Sequence, residues 1–420
     1  MFDLTSTLPQ DLSINSYQYH CYLPTIGSNY NSDGEFSIDV YPSTDLFHIH
    51  NSYIMFQGTI RYSKDKPLAS DDDVTFSNLG PLHCFRLISY SLNGTAIESI
   101  YNPGMAVLMK TLAKNTTDNT ILQCFEKDDS ETLTIEANKG METRYNYTTK
   151  NPKPPGSFSF LIPLKHIFAF VEDFDRALFG LRQTLKFVRR NDLDALCRGN
   201  VKAKTDCEVN FTKIALYQPL VRPSDANRLK LLGYVRSKER FPVRFHENSL
   251  ETLVLPENKE ITVNLGVRSS RPRYLLVGIQ TDRHDSQVKN PCIFDSKKIR
   301  NIYATLNSDR FPSLDYNMDF DKFQFTRSYY DFAQFYNSYY MVDPSIVRSL
   351  LTPAEFQKIF PIFCIDLSRH GDNLTEKCLS MTLKLFFADA VPALTVIQVL
   401  IISERFLYLE SNGESLNVIY

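Results

Sequence analysis

Few residues in this chain have types and spacings that could do chemistry. His48-Ile49-His50 sets two imidazoles one residue apart; on a strand they would share a face, the start of a metal pair. No carboxylate or cysteine pattern stands beside them, so a loop or sheet-edge role fits better. Asp315-Tyr316-Asn317-Met318-Asp319-Phe320-Asp321 opens like a calcium loop, but its sixth position is Phe320 where a sharp turn needs glycine. Its twelfth is Thr326 where a bidentate glutamate is required, so the loop is rejected. Asp71-Asp72-Asp73 reads as a solvated loop, with a divalent ion as the remote alternative. The eight cysteines, at 21, 84, 124, 197, 207, 292, 364 and 378, form no C-x-x-C pair. There is no G-x-S-x-G elbow, no phosphate-cradling glycine loop and no H-E-x-x-H. No catalytic residue, cofactor or metal site is therefore expected.

The bulk numbers describe an ordinary globular chain. A chain of 420 residues, 43% apolar, can bury two cores. Its 23 Tyr and 30 Phe with no Trp favour pleated, half-buried surfaces. A net charge of -2, from 46 basic and 48 acidic side chains, is too balanced for a protein whose work is neutralising phosphates, so no specific nucleic-acid site is expected. The basic stretch Arg222 to Arg244, with Arg228, Lys230, Arg236, Lys238 and Arg240, has no interleaved aromatic platform and reads as a solvated connector. Met1-Phe2-Asp3-Leu4 does not open like a secretory signal, so reduced, buried thiols and an intracellular chain are expected, and sequons such as Asn115-Thr116-Thr117 read as chance. The most apolar tract, Val391 to Ile402, contains Pro392 and Gln398 and is too short for a membrane span; it reads as a buried strand.

The elements that would position any site are almost all strands. Phe36 to Tyr41, Tyr53 to Tyr62, Cys84 to Leu92, Phe158 to Ile162 and Val209 to Tyr217 carry the pattern in the first half. Ile261 to Val267, Arg273 to Gln280, Ile299 to Asn307, Ile362 to Leu367, Met381 to Phe387, Leu394 to Ile402 and Arg405 to Leu409 carry it in the second. Asn93-Gly94 between apolar runs predicts a hairpin. Short helices are expected at Pro103 to Ala113, at Thr326 to Met341, and from the capping sequence Thr352-Pro353-Ala354-Glu355. On the second helix Tyr329, Phe332, Tyr336 and Tyr339 fall on one face. That stripe is a candidate subunit interface, although covering the end of its own barrel is the more ordinary use. So many short strands point to sandwich or barrel architecture. The boundary falls near Gln218-Pro219-Leu220-Val221-Arg222-Pro223, where two prolines should stop a ladder; Pro219, Val221 and Pro223 mark the junction between a first unit (1–220) and a second (221–420).

Several stretches resemble the hexon-like double jelly-roll major capsid proteins of Polinton/Maverick elements and adintoviruses, and the related proteins found in animal genomes. The residues are Phe158-Ser159-Phe160-Leu161-Ile162-Pro163-Leu164 with His166-Ile167-Phe168, Glu172-Asp173, Arg190-Asn191-Asp192, and Pro219, Val221 and Pro223-Ser224. Pro272-Arg273-Tyr274, Val277-Gly278, Gln280-Thr281, Asn290-Pro291, Ile293-Phe294-Asp295, Asp315-Tyr316-Asn317 and Val391-Pro392-Ala393 follow in order. The likeness runs from Phe158 to the C-terminus. It implies an all-β fold of two tandem eight-stranded jelly-roll barrels with a few short helices. It further implies a homotrimer forming a pseudo-hexameric capsomer of an icosahedral virion shell, meeting neighbouring capsomers and a minor or penton protein, with no enzymatic activity. A host-domesticated copy serving as a binding or scaffolding module is the alternative. A cupin-like enzyme would need a converging carboxylate or histidine set that the sequence lacks.

Overall fold

The computed structural model describes residues 13–25, 30–31, 34–43, 45–63, 66–114, 125–199, 206–237, 239–266, 271–307, 309–343, 349–368, 380–411 and 416–420. Met1 to Leu4, the Asn115 sequon, Cys124, Lys238, Val267 and Cys378 lie outside them.

The first half contributes β1 (Ile14–Tyr22), β2 (Glu35–Val40), β3 (Tyr53–Tyr62), β4 (Phe85–Leu92), β5 (Thr95–Tyr101), β6 (Ser157–Pro163), β7 (Gln183–Arg189) and β8 (Cys207–Pro223). They pair antiparallel in two sheets, β1-β8-β3-β6 and β2-β7-β4-β5. Shorter pieces, such as Leu46–His48, extend the first sheet. The second half contributes β9 (Arg240–Val254), β10 (Glu260–Leu265), β11 (Pro272–Thr281), β12 (Ile299–Leu306), β13 (Asp309–Phe311), β14 (Ile362–Asp366), β15 (Met381–Phe387) and β16 (Thr395–Ser411). These pair as β9-β16-β11-β14 and β10-β15-β12-β13, and β17 (Leu416–Ile419) adds along β16. Counted within its own half, each barrel has the order first-eighth-third-sixth facing second-seventh-fourth-fifth. That is the two-sheet jelly roll, twice.

Period-two patterning explains each barrel. In β3, Ile54, Phe56, Ile60 and Tyr62 are buried while Tyr53, Met55, Gln57, Thr59 and Arg61 are partly exposed. Facing aromatics fill the first core, with Phe36 stacked on Phe187 at 4.9 Å and Phe85 wedged between Phe56 and Phe211, both at 5.9 Å. The Asn93-Gly94 hairpin forms as expected, both residues at positive φ (48° and 81°). Gly58 sits where β3 passes close to β8, beside the bulge at Phe211/Lys213. A Cβ there would run into the carbonyl oxygen of Asn210 and lie 2.8 Å from the Phe158 ring. Gly58→Ala is therefore expected to destabilise by about 1–3 kcal/mol, read as a lower urea midpoint with the far-UV spectrum unchanged in buffer.

Among the helices are α1 (Pro103–Leu112), α2 (Asp225–Arg236), α3 (Thr326–Tyr340) and α4 (Pro353–Lys358). The Thr352 capping box starts α4 as its sequence requires, Glu355 N–H donating to Thr352 Oγ1 and Thr352 N–H to Glu355.

The strand pattern departs from expectation at the prolines, the basic stretch and the last long strand. Pro219 and Pro223 do not stop the ladder: β8 runs through both, Pro219 facing Tyr19 and Pro223 facing Ile14. Pro219 lies at a handover on the strand's other edge, where β3 has ended at Tyr53 and Leu46–His48 takes over at Leu220, so its missing N–H interrupts no bond there. The basic connector is instead α2 followed by β9, whose Arg240, Pro242 and Arg244 alternate with Phe241, Val243 and Phe245. The segments Leu394–Ile402 and Arg405–Leu409 merge into one 17-residue strand, β16, because β9 pairs along it from Val396 to Glu410.

Candidate functional site: the seam between the barrels

Among the described residues, no three His, Cys, Asp or Glu side chains gather as a metal group. His48 ends its strand and His50 sits in the following 3-10 turn, so the two do not share a strand face. Their rings stack at 6.3 Å, His48 on Asp175 (2.7 Å) and His50 on the Val171 carbonyl (3.0 Å). In the Asp315–Asp321 stretch, Asp315 accepts from Asn301 at 2.6 Å and pairs with Arg310, while Asp319 pairs with Arg300 at 2.7 Å. Asp72 accepts the Ala69 N–H at 2.7 Å, closing its own turn. Cys84, Cys197, Cys207, Cys292 and Cys364 are free and buried, and Cys21 is free and exposed. Among the described residues no helix is long and apolar enough to cross a membrane.

Polar groups converge instead between the barrels. On β5, Glu98 is buried at 1% exposure, and its carboxylate accepts the N–H of Phe170 (3.0 Å) and, across the seam, that of Asn248 in β9 (2.9 Å). Two residues earlier on β9, the His246 N–H donates to Asp173 at 2.7 Å. Because β9 is the outer strand of its sheet, its free N–H groups would otherwise need water or another strand. Carboxylates from the first barrel satisfy them here. Burial outweighs those bonds and pushes Glu98 up to about 8.

Deeper in, Lys110 of α1 is 4% exposed and sits 2.6 Å from Glu172, with Lys114 at 3.6 Å. Lys110 also donates to the Tyr339 hydroxyl of α3 (3.2 Å), and Tyr340 donates to Glu172. Burial opposes charge on Glu172, but the two lysines and the hydrogen bonds overcome it and bring its carboxyl down to about 2. Arg144 and Asp128, both at 1% side-chain exposure or less, pair at 2.6 Å, and Asn290 of the second barrel donates to the same carboxylate at 2.9 Å. Gln287 reaches across as a surrogate strand residue. Its amide donates to the Cys207 carbonyl (2.7 Å) while its oxygen accepts the Cys207 N–H (2.8 Å).

One pair in the seam looks chemical. Cys292 lies 3.8 Å from His83 Nε2 and donates to the Asn78 carbonyl at 3.4 Å. Burial pushes the thiol well up and brings His83 down to about 4, which opposes a thiolate–imidazolium pair. Beside the seam lies a cleft of about 610 Å³, lined by Asp73, Glu131, Glu136, Arg198, Arg283 and Lys289 among others. Its cations are already matched: Arg283 with Asp295 (2.8 Å) and Glu131 (3.3 Å), Lys289 with Asp282 (2.6 Å), Arg198 with Asp206 (2.8 Å). The arrangement holds two barrels in one orientation.

The residues picked from sequence divide. Pro219, Val221 and Pro223 lie in β8, paired along β1 and not among the polar seam contacts. Of the α3 stripe, Phe332 and Tyr339 are buried within the chain, Tyr339 at the seam, while Tyr329 and Tyr336 are half-buried. Phe335 takes the place assigned to Tyr336. Sequence reading missed Glu98, Lys110, Arg144 and Gln287. A charged residue inside the apolar run Ile97-Glu98-Ser99-Ile100 was the available signal.

The sequence model of the double jelly roll-like domain matches residues 77–407, starting well before the resemblance seen at Phe158. No curated protein matches the chain. Among solved structures, the chain is similar to PBCV-1 VP54, fitted into a reconstruction of the virophage Sputnik (TM-score 0.57, 11% identity, 99% of each chain covered). It is also similar to a chain of the Sputnik virophage (0.58, 12%, 99% and 91%) and to the mavirus major capsid protein (0.53, 12%, 100% and 93%). At such identity these likenesses concern the fold.

Proposed function

The chain belongs to the double jelly roll-like family, and from that premise we propose that it is a structural, non-catalytic subunit of a capsid-type shell, three copies closing into a pseudo-hexagonal capsomer. The observation that carries this reading is the same eight-strand order twice in one chain, with the two barrels welded by buried polar contacts. Two like barrels held at a fixed angle let three chains approximate a ring of six, as a heterologous contact that closes requires. A wall tile needs a rigid body, not a reactive cleft, and the seam supplies rigidity. We place the junction between the units in α2, where one barrel's last strand has ended and the next barrel's first has not begun. The partners implied are further copies of the chain and a minor protein at the vertices, and the location is the virion, with assembly inside the cell. Purified protein is expected to scatter light as three chain masses and to show hexagonal outlines in negative stain. A strict monomer at high concentration overturns the reading.

A further inference from the structure

The basic stretch that begins at Arg222 has no aromatic platform along the chain, but the fold supplies one from a distant strand. Directly opposed residues of an antiparallel pair share a face. On β9 and β16 that sets Arg240 beside Glu410, Pro242 beside Tyr408 and Arg244 beside Phe406, and Tyr408 in turn faces Ile419 of β17. Further along the same face the cover begins, where His246 stacks on Tyr339 of α3 at 4.7 Å. Pairing with β11 stops at Ser403, and beyond it the sheet narrows to β9, β16 and β17.

This narrow end is open. The Arg240 and Arg244 side chains are 64% and 65% exposed, and Phe406 and Tyr408 are 39% and 43% exposed. Two guanidinium groups flank the Phe406 ring, Arg271 at 5.0 Å and Arg244 at 5.8 Å. Arg240 has Glu410 at 2.7 Å, whereas the Glu404 carboxylate is shared by Arg244 and Arg273, which keeps the face positive. The neighbouring α2, whose Val235 carbonyl accepts from Ser411 at the end of β16, adds exposed Arg228, Lys230 and Arg236 against Asp225 and Glu239.

Guanidinium forks match phosphate, and exposed rings set among them offer faces on which unpaired bases stack. Charge alone would suit a duplex or an anionic lipid surface equally well. The interleaved rings favour a single strand, whose bases are not already paired and stacked.

We infer that the open end of β9 and β16 is a sequence-independent platform for single-stranded nucleic acid, with phosphates on Arg240 and Arg244 and bases on Tyr408 and Phe406. The two arginines lie four residues apart on one face, roughly 13 Å by strand rise, with Tyr408 set between them. The platform goes beyond the shell-wall reading and does not depend on it, since every residue named belongs to one chain.

The test titrates the full-length protein against a labelled oligothymidylate of about 16 nucleotides, a duplex of equal length, and vesicles containing phosphatidylserine. The single strand is expected to bind about tenfold more tightly than the duplex, and Phe406→Ala/Tyr408→Ala to remove most of that preference while duplex binding stays unchanged. Arg240→Gln/Arg244→Gln is expected to weaken both and to reduce the salt slope for the single strand by about 1.4. Thermal melts confirm that the fold is retained; Arg240→Lys/Arg244→Lys, which keeps the charge and should keep the slope, is the second variant should glutamine disturb the ladder. Equal affinity for strand and duplex, ring variants that bind like the wild type, or binding to the vesicles alone overturns the platform. So does a wild-type chain that binds none of the three, and in each case the trimer reading stands.

Discussion

Arg144→Met is expected to destabilise the protein by about 3–5 kcal/mol, among the largest effects any single replacement should produce. The guanidinium is fully buried, 2.6 Å from an Asp128 carboxylate that is equally shielded, and it also donates to the Phe76 carbonyl at 3.0 Å and to that of Glu126. Methionine restores much of the volume but leaves Asp128 as a buried negative charge with Asn290 as its remaining neutral donor. The loss should appear as a lower urea midpoint. Lys186→Met, which breaks a pair with Glu35 whose side chains are 40% and 63% exposed, should move it by no more than about 0.5 kcal/mol. Equal effects from the two variants would show that burial of the pair is not what matters.

Glu172→Gln should cost a similar amount at neutral pH, roughly 3 kcal/mol, by leaving the Lys110 ammonium buried without its counter-charge. Here pH gives a sharper signature. Glu172 titrates near 2 in the folded chain, below its unfolded value, so its contribution is complete above about 4.5 and disappears as pH falls towards 2. Wild type and variant should therefore converge in acid, and a gap that persists at pH 2 would refute the assignment. Asp194 behaves in the same direction: burial opposes its charge, but the hydrogen bond and charge of His284, with Arg190, bring it down to about 2. Glu98 has the opposite sign. Its folded value lies near 8, so its ionisation weakens the fold as pH rises from about 4.5 to about 8. The seam should be tightest in mildly acidic solution.

The sequence disclosed what local rules control. Alternation in β3 and β15, the Asn-Gly turn and the capping box at Thr352 each depend on a few adjacent residues, and each formed where expected. Strand β9 is hard to read because Arg240, Pro242 and Arg244, which alternate with Phe241, Val243 and Phe245, continue a basic stretch that has the composition of a solvated connector. Strand β1 was hidden because seven of its nine residues are exposed; only pairing with the distant β8 makes it a strand. The α3 stripe went wrong by one position, since spacings of three and four both reach the same face and Tyr274 and Phe356 decide which rings turn inward. The seam was illegible for a plainer reason. Glu98, Asn248, Lys110 and Glu172 are brought together by tertiary packing, and no spacing along the chain records it.

The eighth strand of each barrel lies in the interior of its sheet, between the first and the third. During synthesis this sets a schedule. The first barrel is able to close once Pro223 has left the ribosome, while the second waits, its first and third strands held apart with bare edges, until the chain reaches β16, which ends at Ser411. For some 170 residues of translation the nascent polypeptide carries one finished barrel and one open sheet. Premature termination anywhere short of Thr395 would release a sticky half-product, so chaperone demand should concentrate on the later half of the message.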